Sequence, residues 1–487
     1  MSAAQAWGGH NRPLLVRELA GQAFARASGA PLVLGNRVRI LRDAAENYPR
    51  WLEAIASAKR TILFENYIVC DDLTGRVFAD ALIERARHGV QVRLIYDWLG
   101  CLGKSSRRFW NRLREAGVHV RCFNPPRLDS PFGWMSRDHR KMISVDGETA
   151  FVMGLCVGAI WEGNPRKRIG PWRDTGVEVQ GPIVADVERA FEQTWEMTGA
   201  PNPKDDSPAP RPVVPAGDVA MRIVASVPNT AGMLRIDQLV AALARERLWL
   251  TDAYFSGTTT YVQALRAAAK DGVDVRLLLP GENDVPIMTP FMRAGYRPLL
   301  EANVRIYEWN GPMLHAKTGV ADGRWGRVGS TNLNITSWLG NCELDAIIED
   351  EGIAAEMEQM FLDDLDHATE IVLDERHRPR PPGGRKAPRR RHSLGGSASR
   401  AAAGAMRIGN VVSAAVGDRR VLGPVEAKLM APSGLLLLVS AILFWKYPKA
   451  IAYPLAVLLS WLAVSLIVRG AQLFFDRRRR GKASADD

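Results

Sequence analysis

The feature that most constrains this chain is an internal repeat. The stretch "ALIERARHGVQVRLIYD" (Ala81 to Asp97) matches "ALRAAAKDGVDVRLLLP" (Ala264 to Pro280) without a gap. Each copy reads as a helix, a glycine stop and a buried strand. Gly89 and Gly272 stand where a helix C-terminus needs a left-handed residue, and "VQVRLIY" and "VDVRLLL" are rich in β-branched residues and leucine. Next, "LREAGVHVRCF" (Leu113 to Phe123) matches "LLEANVRIYEW" (Leu299 to Trp309). Each then leads to its own copy of His-x-Lys-x-x-x-x-Asp, in "DHRKMISVDG" (Asp138 to Gly147) and "LHAKTGVADG" (Leu314 to Gly323). Strands alternating with helices imply an α/β fold with a mixed or largely parallel sheet and helices on both faces. The expected architecture is two similar α/β/α sandwich domains. Packed about a pseudo-twofold axis, they would bring the two histidines face to face.

Composition shifts set the expected boundaries: an N-terminal extension at 1–35, a first domain at 36–200, a Pro-rich linker at 201–217 and a second domain at 218–375. Beyond these come a basic, Arg/Pro/Gly/Ser-rich disordered segment at 376–404, an amphipathic juxtamembrane segment at 405–429, a membrane hairpin at 430–468 and a basic tail at 469–487. The hairpin reading rests on two runs that are apolar all round, Met430 to Trp445 and Ile451 to Val468. The first is shorter than the ~20 residues that comfortably span a bilayer, and the second is close to it. Arg419, Arg420 and Lys428 precede the pair, while Arg469 and Arg477 to Arg480 follow it, which puts both ends in the cytoplasm by the positive-inside rule. The N-terminus has no long apolar core behind a basic start, so no cleaved signal peptide is expected. The five scattered cysteines lack disulfide-framework or zinc spacing and are expected as free thiols in a reducing compartment. A net charge of +11 favours anionic partners such as phospholipid surfaces or nucleic acid.

One His-x-Lys merely places two polar side chains on the same strand face. Two copies at equivalent places in a repeat point to chemistry. A neutral imidazole is a nucleophile near pH 7, and a second imidazole, when protonated, can give a proton to a departing alkoxide. Lysine ammonium groups can hold the non-bridging oxygens of a phosphodiester during in-line displacement, so a metal-independent reaction without cofactor is expected.

These motifs resemble the phospholipase D superfamily, whose signature is paired His-x-Lys-x-x-x-x-Asp followed by a Gly/Ser/Asn segment. The likeness covers about Asn36 to Asp366 and includes "GSTNLNITSWLGNCELD" (Gly329 to Asp345). Within the superfamily, "RVRILRDAAENYPRWLEAIASAKRTILFENYI" (Arg37 to Ile68), "WRDTGVEVQGPIV" (Trp172 to Val184) and the motif spacing are most similar to bacterial cardiolipin synthases of the short type, from which the C-terminal hairpin departs. The resemblance implies a ping-pong phosphatidyl transfer on the cytoplasmic side of the inner membrane, with phospholipid, phosphatidylglycerol above all, as substrate. Hydrolysis, as a phospholipase D or a nuclease of the superfamily, and an inactive membrane scaffold are the alternatives; both motifs in one chain and the hairpin favour lipid over nucleic acid.

By the same resemblance the catalytic set is His139, Lys141, Asp146, His315, Lys317 and Asp322, with His139 as nucleophile, His315 as acid/base, and Ser330 and Asn332 helping the lysines hold phosphoryl oxygens. The motif aspartates are equally suited to bracing a lysine or a backbone turn. Where the family commonly has Gly-Gly-x-Asn after the first motif, this chain has "MGLC" (Met153 to Cys156), so Cys156 replaces an asparagine. Asp174, in "WRDTG", and Glu343, in "NCELD", are candidates for orienting the histidines. Spacing does not assign them; the family likeness and the pseudo-twofold favour a crosswise arrangement, Glu343 on His139 and Asp174 on His315, over one in which each acid serves its own half.

Overall fold

The computed structural model describes residues 21–126, 135–164, 166, 169–199, 214–286, 288–373 and 379–380, with scattered positions between 438 and 464. In the first repeat the strands are β1 (Val33–Arg42), β2 (Thr61–Asn66), β3 (Gln91–Asp97), β4 (His119–Phe123), β5 (Lys141–Val145), β6 (Thr149–Met153) and β7 (Thr175–Gln180). In the second they are β8 (Val219–Ser226), β9 (Arg247–Thr251), β10 (Asp274–Pro280), β11 (Arg305–Trp309), β12 (Thr318–Ala321), β13 (Trp325–Gly329) and β14 (Glu343–Glu349), followed by β15 (Ala368–Leu373) and β16 (Pro379–Arg380). The helices of nine or more residues are α1 (Asp43–Ser57), α2 (Leu73–Arg87), α3 (Arg107–Glu115), α4 (Val184–Met197), α5 (Gly232–Leu243), α6 (Thr259–Lys270) and α7 (Glu351–Leu365).

The two repeats pair their strands in the same order, β1-β7-β6-β5-β2-β3-β4 and β8-β14-β13-β12-β9-β10-β11, and β1 pairs antiparallel with β8 to join them into one mixed sheet. Among the described residues the sheet is parallel only along β2-β3-β4 and β9-β10-β11, where helical crossovers connect neighbours. Alternation along each strand divides the core. On β2, Ile62 and Phe64 point into a cluster with α1, α2 and α3, while Leu63 points to the opposite face. On β10, Leu277 and Leu279 pack with α5 and α6, while Leu278 faces the other way. That other face is shared by both repeats, because Val187 and Phe191 of α4 meet Met357 and Phe361 of α7 in a single cluster. Helices thus cover both faces, as expected from the sequence.

Two boundaries differ from expectation. Residues 33–35 already belong to β1, and Phe24 and Ala30, from the segment read as an extension, pack in the core of the second repeat. Pro379–Arg380 pairs with Val372–Leu373, so these two residues of the basic segment form a strand. Residues 201–213 and 381–437, the tail from 465, and much of the expected hairpin lie outside the described residues. Among the described residues no helix is long and apolar enough to cross a membrane. All five cysteines are free thiols.

Candidate active site

The site is built where the ends of β5 and β12 meet the opposite repeat. Lys141 opens β5, and Lys317 immediately precedes β12. Just upstream, the His139 N–H donates to the Cys342 carbonyl (2.8 Å) and the Cys342 N–H to the Arg137 carbonyl (2.8 Å). The second repeat mirrors this: the His315 N–H donates to the Arg173 carbonyl (2.7 Å) and the Arg173 N–H to the Met313 carbonyl (2.9 Å). Each histidine segment is therefore stitched to the residue just before the other repeat's acid. The side chains follow the backbone. His139 Nδ1 lies 2.8 Å from Glu343 Oε2, and His315 Nδ1 lies 2.6 Å from Asp174 Oδ2. A carboxylate only accepts, so Nδ1 carries the proton and Nε2 of each ring is left with its lone pair.

The two acids are supported differently. Ser330 Oγ donates to Glu343 Oε2 (2.6 Å) and accepts the Leu344 N–H (2.9 Å), while Asn341 Nδ2 donates to Oε1 (3.2 Å). On the shorter Asp174, the Thr175 N–H meets Oδ1 (2.9 Å) and Trp161 Nε1 meets Oδ2 (3.3 Å). Gly154 occupies the place in the first repeat that Ser330 holds in the second, and a Cβ there would stand 2.1 Å from Asp174 Oδ1. Gly154→Ala is therefore expected to push Asp174 off His315 and lower turnover about a hundredfold, the cost typical of an ångström-scale misplacement. Turnover assays alongside circular dichroism check this, and an alanine variant with normal rate would show that the contact relaxes harmlessly.

Both lysines are buried, and each Nζ donates to the carbonyl of its own histidine. Lys141 Nζ also lies 5.0 Å from the Tyr67 ring centre, and Tyr67 meets His139 edge-on at 4.9 Å. Lys317 Nζ stands 3.0 Å from His315 Nδ1, which sets a positive charge against that ring. Burial, then the Lys317 ammonium, push His315 down to about 3; burial likewise lowers His139, partly offset by Glu343. Each histidine also feels the lysine of the opposite repeat, a sign that the four groups converge. Burial lowers Lys141 and brings Lys317 down to about 8. Burial raises Asp174 and Glu343, but their histidines and the lysines over-compensate, holding both below the ordinary carboxylate range.

The catalytic set expected from the sequence is corrected at three places. Asp146 accepts the N–H groups of Lys59, Arg60 and Thr61 (each 2.8 Å), and Asp322 those of Arg245, Glu246 and Arg247 (2.9, 2.8 and 3.0 Å). Both sit in left-handed turns at the strand ends away from the histidines, so they brace the fold and leave the catalytic set. Ser330 directs its hydroxyl to Glu343 instead of standing open for a phosphoryl oxygen. Asn332 is buried, with Nδ2 only 3.4 Å from Ser337 Oγ, a weak bond that leaves its amide largely uncommitted.

The family model described as "Cardiolipin synthase, PLD-like domain" matches residues 51–155 and 239–365, taking in both histidines. Cardiolipin synthase A of Pseudomonas aeruginosa is 32% identical over 372 residues, 74% of each chain. Cardiolipin synthase of Geobacillus kaustophilus is 33% identical over 371 residues, 75% of this chain and 72% of that one. The chain belongs to the cardiolipin synthase family of PLD-like proteins. The crystal structure of phosphatidylserine synthase from Haemophilus influenzae has the same kind of fold, with a TM-score of 0.57 and 13% identity over 72% of this chain and 91% of that one.

Against the family pattern quoted above, Cys156 is buried in the first core cluster, and burial pushes its thiol up. The thiol nevertheless lies close enough to Lys141 and Lys317 for both ammonium groups to feel it, and as a weak donor it cannot reproduce an amide contact to phosphate. Cys156→Asn is expected to fold and to retain transfer while losing about 1–3 kcal/mol for the buried amide; a folded but inactive variant would contradict this. Three residues of this cardiolipin synthase family site escaped the sequence reading: Tyr67, and Trp161 and Trp172, whose rings lie 5.8 and 5.6 Å from His315. Trp172 stands in "WRDTG", two places before Asp174, and Tyr67 in "FENYI", at the end of a stretch that carries the family likeness, so both offered a usable signal; Trp161 offered none.

Proposed function

We propose that this protein is a phosphatidyltransferase that joins two phosphatidylglycerol molecules into cardiolipin, releasing glycerol, through a phosphohistidine intermediate. The observation that carries this reading is the crosswise pair of buried histidine–carboxylate contacts, with a lysine beside each histidine. In the first step His139 Nε2 attacks phosphorus, the P–N bond forms, the P–O bond to the donor's glycerol breaks, and His315 Nε2 gives the leaving alkoxide its proton. In the second, His315 takes the proton of the acceptor hydroxyl, the new P–O bond forms and the P–N bond breaks. His315 is neutral in the empty site; the negative phosphodiester beside it favours the protonated form needed for the first step. Lys141, Lys317 and Asn332 hold the non-bridging oxygens. Incubating the purified protein with labelled phosphatidylglycerol, with and without phosphatidylethanolamine or free glycerol, tests the reading by product. Phosphatidic acid as sole product would make the enzyme a hydrolase.

The free-enzyme Lys317 near 8 predicts a pH effect. The ammonium is charged below that value and neutral above it, so kcat/KM is expected to fall as pH rises through about 8. A profile flat across that range would remove Lys317 from phosphate binding. Localisation forms part of the same proposal: the 430–468 hairpin holds the enzyme at the cytoplasmic leaflet, with Arg389 to Arg391 and Arg477 to Arg480 attracting anionic headgroups at about 1 kcal/mol per residue. Deleting everything after Arg400 is expected to make the protein removable from membranes by high salt while leaving activity on detergent-dispersed lipid. A truncated chain that survives the wash would place the main anchor elsewhere.

A further inference from the structure

The rim beside His139 carries large apolar side chains that nothing among the described residues covers. Leu73 is 80% exposed, Val77 52%, Ile160 46% and Leu102 41%. Leu73 and Val77 are one turn apart on α2 and share a face. Two adjacent aspartates tie down the segments that carry the other two. Asp72, which caps α2, also accepts the Ala159 N–H (2.8 Å), fixing the turn that presents Ile160. The Asp71 N–H donates to the Lys104 carbonyl (2.9 Å) and its carboxylate accepts from Ser106 Oγ (2.8 Å), fixing the loop that presents Leu102. The rim is tied directly to the site: the Cys101 thiol, next to Leu102, lies 3.7 Å from the carbonyl of Tyr67, whose ring touches His139.

Cations are in excess on α2, on α3 and in the loop between them. Arg76, Arg108 and Arg112 line a recess between α2 and α3. Arg76 pairs with Asp71 and Arg112 with Asp80, whereas Lys104, Arg107 and Arg108 are exposed and, among the described residues, lack a carboxylate partner. Exposed apolar side chains beside surplus positive charge match an anionic bilayer, which offers hydrocarbon below a negative headgroup layer. An acidic protein surface would match the charge but not four protruding aliphatic side chains.

We propose that this rim is the membrane-contacting face of the catalytic unit, with Leu73, Val77, Leu102 and Ile160 entering the interface of an anionic bilayer and Lys104, Arg107 and Arg108 lying at headgroup level. The choice of a bilayer rests on the lipid reading of the site. The contact would open His139 towards lipid without the substrate leaving the surface, and it is separate from the C-terminal anchor.

The test uses the full chain in vesicles, with an environment-sensitive fluorophore on Leu73→Cys or Val77→Cys after the half-buried Cys70 and Cys122 are changed to serine. Ser57→Cys is the control, because Ser57 lies beside Asp146 at the strand ends away from the histidines. In phosphatidylcholine vesicles containing about one third phosphatidylglycerol, positions 73 and 77 are expected to shift to the blue and to be quenched by lipid-borne quenchers, and position 57 is not. Pure phosphatidylcholine should weaken the effect. Equal quenching at 57, or none at 73 and 77, would overturn the proposal and leave the patch to a protein partner. Leu73→Ser with Val77→Ser should raise the lipid concentration for half-maximal turnover about fivefold or more with kcat kept. The quenching needs no turnover, so quenched positions on an enzyme that makes no cardiolipin would sink the lipid-transfer reading and not the docking face.

Discussion

Changing Glu343 to glutamine is expected to slow formation of the covalent phosphohistidine by about a thousandfold or more, the scale seen when a histidine loses its carboxylate partner and with it the right tautomer. Glu343 Oε2 receives His139 Nδ1 at 2.8 Å and Ser330 Oγ at 2.6 Å, so two donors are aimed at one anionic oxygen. An amide nitrogen in that place would be a third donor. His139 would then be driven to accept at Nδ1 and carry its proton on Nε2, where the attacking lone pair belongs. The carboxylate is fully buried, so no water replaces it. Rapid-quench measurement of the intermediate reads the effect directly. An unchanged rate would show that His139 does not attack, or that its tautomer is set elsewhere.

Asp174→Asn is expected to have an effect of similar size on natural lipid and a much smaller one on an activated aryl phosphodiester. Asp174 holds His315 at 2.6 Å, and removing its charge takes away the group that stabilises the imidazolium. A phenolate leaving group with low basicity needs no proton, so formation of the intermediate should be largely restored with it, while the later deprotonation of the acceptor stays slow. The intermediate should therefore accumulate. If instead the aryl ester is affected as much as the lipid, His315 does more than move protons, and if glutamine at 343 shows the aryl rescue, the roles of the two histidines are exchanged.

Much of this site could be read from the sequence, because duplication carries geometric information. Two gap-free helix–strand matches and two equivalent histidine motifs imply a pseudo-twofold, and a twofold that joins the histidines places each beside the segment preceding the other repeat's acid. The backbone bridges at Cys342 and Arg173 are the physical form of that inference. For the motif aspartates, which the signature groups with the catalytic residues, the geometry selects the bracing alternative. From His139 to Asp146 is seven residues of largely extended chain, about 20 Å at strand rise, too far for both ends to touch one phosphate. Ser330 was unreadable for another reason. Whether its hydroxyl faces substrate or Glu343 depends on one rotamer and on the extra methylene that separates glutamate from the aspartate at 174. Gly154 was similarly silent, since its role is to leave room for an atom of a residue twenty positions away. Leu73 and Val77 carry no signal in the sequence, and only the turn at Ile160 and the loop at Leu102 make them part of a surface.

The most direct measurement is identification of the residue that carries the phosphatidyl group during turnover. Protein mixed with labelled phosphatidylglycerol, quenched within the first turnover and digested under alkaline conditions that preserve phosphohistidine, is expected to yield the label on the peptide containing His139. The label should increase in Asp174→Asn supplied with the aryl phosphodiester and vanish in His139→Ala. Label on the His315 peptide, or steady production of cardiolipin with no labelled histidine at any quench time, would contradict the account.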